Sequence, residues 1–157
     1  MKLTSTSFFN NLNIPAKYCN REIYTGQNIS PQFAWTDYPS DAKSFLLLFV
    51  DRHPKSSGFV HWALTDIPIK VNKIPEGASH SAKMPEGVTE LNNDFGQMGY
   101  GGPQPPKGSG KHIYEALIFA LDTDKLGFKG KVSEKEIMSK IKSHIVAQAM
   151  VNGYVVN

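Results

Sequence analysis

Residues 45–50 read FLLLFV, an uninterrupted apolar run closed by Asp51. In an extended chain successive side chains point to opposite faces, so a strand that is apolar at every position buries both of them. This stretch predicts a strand held between two layers. Outward from it, Val60 to Ile67 and Tyr114 to Leu121 are further short runs rich in β-branched and aromatic residues. Pro, Gly, Asn, Asp and Ser clusters separate them, which is the rhythm of an all-β domain and not of alternating strands and helices. A mainly β, sandwich-type architecture follows.

The helix signal comes late. Ser133 with Glu136 three positions on forms a capping box, and Ile137, Ile141 and Ile145 follow at i, i+4 spacing, which predicts a helix from Ser133 to Ser143. The tail HIVAQAMVNGYVV is interrupted by Gly153 and suits a short strand as well as a continued helix. Asn10 to Pro31 and Lys70 to Pro106 carry no periodic pattern, and loops of that length are uncommon in compact domains unless they build a site.

The whole chain bounds the function classes. A length of 157 residues predicts one domain, 1–157, with one sizeable core. A net charge of +3, with the lysines scattered and not gathered into a stripe, argues against a nucleic-acid partner. No apolar run approaches the roughly 20 residues of a membrane helix. The N-terminus MKLTSTSFFNNLNIP shows no apolar signal segment, and the single Cys19 cannot form an internal disulfide, so a cytoplasmic location and a partly buried, unactivated thiol are expected. Homodimers are common among soluble proteins, so a homodimer is the assembly to test for.

Common catalytic signatures fail. PQPPKGSGKH places Pro105 where a phosphate loop has its first glycine, and His112 follows Lys111 where Ser or Thr is needed. Ser109 lies between glycines but lacks the first glycine of a nucleophile elbow. No zinc spacing occurs, and no cofactor is expected. What remains is polar groups beside each predicted strand: Asp51 at the end of the first, His61 at the start of the second, and His112 and Tyr114, two apart and on one face, opening the third. Convergence of these ends makes a pocket, with Pro105 and Pro106 stiffening the adjacent loop. Histidine and phenol donors, with the N–H groups of Gly101, Gly102, Gly108 and Gly110, suit an anion such as phosphate. His53, His80 and His144 read as structural or exposed, and Trp35 and Trp62 as core.

NISPQFAWTDYPSDAKSFLLLFVD, HWALTDIP, NDFGQMGYGGPQPPKGSGKHIYEALIFALD and SHIVAQAMVNGY, in this order, resemble the phosphatidylethanolamine-binding protein family, most closely its bacterial and archaeal Raf-kinase-inhibitor-like branch. The resemblance spans Phe9 to Tyr154. It implies an antiparallel Greek-key β-sandwich with a short C-terminal helix. It also implies a small ligand pocket lined by Asp51, His61, Pro105, Pro106, His112 and Tyr114. The implied function is non-catalytic binding of an anionic small molecule, a phospholipid headgroup or a phosphorylated group, with regulation of a kinase or protease partner among the family's roles. The alternative is a His/Asp-based or metal-assisted hydrolase.

Two departures from the family pattern stand out. The family's D-P-D-A-P is replaced by VDRHP, and counting back from Pro54 puts the first acid's place on Val50, so Asp51 fills it only with one residue deleted. A one-residue slip moves a strand side chain to the other face, and Arg52 or His53 could then alter the corner. Ile113 stands where the H-R-Y form of the motif has arginine.

Overall fold

A computed structural model describes residues 1–157. It contains nine strands and one α-helix: β1 (Lys2–Thr4), β2 (Leu12–Asn13), β3 (Phe33–Thr36), β4 (Ser44–Asp51), β5 (Phe59–Pro68), β6 (Lys73–Ile74), β7 (Thr89–Glu90), β8 (Lys111–Leu121), α1 (Glu134–Ile141) and β9 (Ile145–Val156). The strands form a three-stranded sheet in the order β1-β3-β6 and a six-stranded sheet in the order β2-β9-β8-β4-β5-β7. All pairings are antiparallel except β2 with β9. After the β4–β5 hairpin the chain passes through the small sheet at β6 and the far edge at β7. It then returns to the opposite side of β4 as β8, a Greek-key path.

Strand β4 is buried at all eight positions, and the alternation of its side chains explains why. Phe45, Leu47 and Phe49 join Phe33, Trp35, Trp62 and Ile74 in the core between the two sheets. Leu46, Leu48 and Val50 point the other way and join Leu126, Ile137 and Ile141 in a second core under α1. A strand between two apolar layers has no polar face to show, which is why the sequence alternates nowhere here.

The helix follows the sequence reading at its start. Ser133 Oγ accepts from Glu136 N–H while the Glu136 carboxylate accepts from Ser133 N–H, completing the capping box. It ends at Ile141, two residues short of Ser143. Ile145 does not continue the helix but starts β9, because eleven residue pairs in register with β8 claim the tail for the sheet. The ambiguous HIVAQAMVNGYVV segment is therefore a long strand, and the helix lies between β8 and β9, near the C-terminus but not at it. At Gly153 an added Cβ would come within 2.6 Å of Ile14 Cγ1, so glycine lets the N-terminal segment close over β9. No helix is long and apolar enough to cross a membrane.

Arg52 shows how the period of a strand sorts side chains. It follows Asp51 and points to the helix face, where its guanidinium binds Glu115 (Nε–Oε2 2.6 Å) and Glu134 (Nη2–Oε1 2.7 Å). Burial works against its charge, yet the two carboxylates hold its pKa above the ordinary arginine value. Arg52 thus ties the first turn of α1 to the sheet.

Candidate functional site

The six-stranded sheet delivers three side chains to one end of the inner core. Asp51 continues the Phe45–Leu47–Phe49 face of β4, and Tyr114 stands directly opposite it on β8. His112, two residues earlier, shares that face and is buried. Despite the altered VDRHP corner, Asp51 is on the cavity side and Arg52 is not.

His61 arrives by a different device. Phe49 pairs with Trp62 and Val50 with Val60, so His61 is the extra residue of a bulge in β5. The bulge lets consecutive residues face the same core: Trp62 packs with Phe33 at 6.5 Å between ring centroids, and His61 packs edge-on to Tyr114 at 5.2 Å. Without it, alternation would send His61 to the opposite face from Trp62.

Asp51, His61, Pro106, His112 and Tyr114 line a cavity of about 230 Å³, together with Lys55, Ser56, Phe59, Phe95 and Gln104. Five of the six residues singled out in the sequence thus share one concavity. Pro105 does not reach it. It is buried in the loop base, and its carbonyl accepts from Asn157 Nδ2 at 2.8 Å, so it anchors the loop while Pro106 forms the wall.

Three of the four glycine N–H groups that the sequence suggested as anion donors are already engaged within the protein. Gly101 N–H donates to the His61 carbonyl at 2.9 Å, and Gly108 N–H to the Asn157 carbonyl at 3.0 Å. Gly102 N–H donates to Asn28 Oδ1 at 2.7 Å. Gly102 is instead a close-approach residue, since an added Cβ would lie 2.4 Å from the Tyr18 carbonyl oxygen.

The electrostatics divide the polar groups. Asp51 is satisfied three times: Oδ1 accepts from His53 N–H at 2.8 Å, and Oδ2 accepts from Ser56 O–H at 2.7 Å and faces His112 Nδ1 at 2.7 Å. His61 Nδ1–H donates to the Gly101 carbonyl at 2.6 Å, which leaves Nε2 with its lone pair. Burial lowers the His61 pKa to about 4, overriding the opposing pull of the Gly101 carbonyl and Asp51. His61 is therefore neutral at physiological pH and supplies no charge. Tyr114 has a buried hydroxyl that meets no acceptor in hydrogen-bonding geometry, although the Asp51 carboxylate and the Gln104 backbone lie near it, and burial, then the charge of Asp51, raise its pKa well above the usual phenol range. Lys55 makes no ion pair and brings an unpaired cation to the lining.

His53, which reads as structural in the sequence, stacks its ring on His112 at 3.8 Å and 12° between planes. Its Nδ1 accepts from Lys55 N–H and caps the turn Pro54–Ser56 that carries Lys55 and Ser56 into the lining. Ser109 lies within 2.9 Å of His112 Nε2. Phe59 and Phe95 pack on His61 at 5.0 and 5.4 Å between centroids. The stacking of His53 on His112 and of Phe95 on His61 joins segments far apart in the chain, so no local pattern announces it. No group of three or more His, Cys, Asp or Glu side chains is arranged to hold a metal ion.

The family model described as phosphatidylethanolamine-binding protein matches residues 4–156. A UPF0098 protein of Aquifex aeolicus is 38% identical over 157 residues, covering 98% of this chain and 86% of that protein. The UPF0098 protein YbhB of Escherichia coli is 34% identical over 154 residues, covering 96% of this chain and 97% of its own. Among solved structures, Escherichia coli YbcL, described as a member of the mammalian family, superposes with a TM-score of 0.91 at 28% identity, covering 99% of this chain and 98% of that one. A homologue from Chlamydia trachomatis superposes with a TM-score of 0.82 at 29% identity, covering 99% and 97%.

Proposed function

The chain belongs to the phosphatidylethanolamine-binding protein family, and from that premise we propose that its cavity binds a small anionic group without chemical turnover. The group is a phosphate, carried by a small molecule, a phospholipid headgroup or a phosphorylated side chain. The observation that carries this reading is the Tyr114 hydroxyl, a buried donor with no partner in the protein, on the wall of the cavity. A buried polar group left unpaired costs stability, and a ligand acceptor is what would satisfy it.

Charge bookkeeping supports an anion. The Asp51 carboxyl group is already engaged by the His53 N–H, the Ser56 O–H and the His112 ring, so it does not repel a ligand as a free carboxylate would, and Lys55 adds an unpaired cation at the rim. The size of about 230 Å³ admits a phosphate and a short substituent, while acyl chains would stay outside. A kinase or protease partner would be engaged through a phosphorylated residue placed in the same cavity.

Titration calorimetry tests the proposal with inorganic phosphate, glycerophosphoethanolamine and a phosphoserine peptide as separate probes. One saturable site per chain is expected for at least one of them, weakened about tenfold in Tyr114→Phe, as for loss of one hydrogen bond to a charged group. Absence of binding by all three, or equal affinity in the variant, would reject the reading.

A further inference from the structure

Asp51, His112 and Ser109 form a hydrogen-bonded chain: Asp51 Oδ2 to His112 Nδ1 is 2.7 Å, and His112 Nε2 to Ser109 Oγ is 2.9 Å. These are the groups and spacings of a serine-hydrolase relay, in which serine donates its proton to the imidazole. Here the hydroxyl has another engagement. Ser109 Oγ lies 2.6 Å from the Pro106 carbonyl oxygen, a distance at which two oxygens repel unless a hydrogen lies between them.

A serine hydroxyl has one hydrogen, and the Pro106 carbonyl can only accept. The hydrogen is therefore committed to Pro106, and Ser109 Oγ must accept from His112. That requires a proton on His112 Nε2. The requirement holds whichever partner carries the proton of the Asp51–His112 contact, because Nε2 faces only Ser109.

We infer that Ser109 is a positioning residue that fixes His112 in the Nε2–H form, so that the Ser109–His112–Asp51 chain runs in the opposite direction to a hydrolase relay. His112 then has no lone pair with which to activate Ser109. Both its nitrogens are occupied, so it faces the cavity with its ring edge, and direct donation to a ligand falls to Tyr114, Gln104 and Lys55. The Pro106 turn, closed by Ser109 N–H and O–H to the same carbonyl, sets the cavity wall and the proton of His112 together. The inference deepens the binding reading and depends on it for the use of the site, not for the proton count.

The test uses the full chain labelled with ¹⁵N-histidine at neutral pH, with His112→Gln to assign the signal. A one-bond Nε2–H correlation for His112 is expected in the wild type. In Ser109→Ala its exchange with water should accelerate roughly tenfold or more, the order of a lost hydrogen bond. Ser109→Thr, which keeps the hydroxyl, should restore slow exchange, as a merely structural role would not require. A bare Nε2 in the wild type, an unchanged exchange rate in Ser109→Ala, or covalent labelling of Ser109 by a fluorophosphonate with loss of fluoride would each overturn the inference. Phosphate titration of the same samples separates the two readings: no phosphate binding with the Nε2–H signal intact rejects the binding reading alone, and binding with a bare Nε2 rejects the role of Ser109 alone.

Discussion

Replacing Tyr114 with phenylalanine should make the protein more stable and bind phosphate less well. The ring is fully buried, stacked at 28° on Phe49 with 5.8 Å between centroids, and phenylalanine keeps that packing. What the substitution removes is a hydroxyl with no partner. Desolvating an unpaired buried donor costs about 1–3 kcal/mol, so the variant gains about 1–2 kcal/mol after the small loss of contacts. For a chain of this size each kcal/mol moves the thermal midpoint by roughly 2–4 °C. Saturation changes the ranking. At a phosphate concentration about 100 times the wild-type dissociation constant, binding stabilises the wild type by about 2.7 kcal/mol. A variant with tenfold weaker affinity gains only about 1.4 kcal/mol at that concentration. The two midpoints should therefore differ without phosphate and converge with it, which differential scanning calorimetry at several phosphate concentrations reads directly. A variant less stable than the wild type in the absence of phosphate would show that cavity water or Asp51 already satisfies the hydroxyl, and the reasoning would fail.

Three further outcomes follow from other parts of the molecule. His61 has a folded pKa of about 4 against an ordinary 6.5, so the unfolded chain takes up a proton that the fold refuses; stability is complete above pH 6.5 and falls by on the order of 3 kcal/mol between pH 6.5 and 4. Urea unfolding across that range should show the loss, and His61→Gln should flatten it; an equally steep fall in the variant would assign the loss to other groups. Gly102→Ala should destabilise by about 3 kcal/mol, because the added Cβ meets the backbone at Tyr18 and Asn20 and not a movable side chain, and an unchanged urea midpoint would contradict this. Burial pushes the Cys19 thiol up to about 11, so roughly one molecule in a thousand carries thiolate at pH 8; a disulfide reagent should react only as fast as the protein opens, and reaction at the rate of a free thiol would refute the burial argument.

What the sequence determined by itself is what depends on neighbours along the chain. Six apolar residues in a row announced a strand covered on both faces, and β4 packs one set of alternating side chains under the small sheet and the other under α1. Ser133 and Glu136 announced the start of the helix, because a capping box is closed within four residues. The i, i+2 spacing of His112 and Tyr114 placed them on one face for the same reason. Motif likeness gave the family and the Greek-key sandwich.

Only the tertiary structure decided which groups of the site are free to act. The bulge that turns His61 toward Tyr114 exists because β4 and β5 pair with one residue to spare, a count that neither strand contains alone. The N–H groups of Gly102 and Gly108 looked available in the sequence, yet Asn28 and Asn157 take them across 74 and 49 positions of chain. Pro105 looked like pocket wall and is anchored by Asn157, while Ser109, dismissed by its motif, stands against His112. Secondary structure is set by periodicity and local geometry, which a sequence displays. The capacity of a hydrogen-bonding group is set by its partners, and in a sandwich with long loops most of those partners come from elsewhere in the chain.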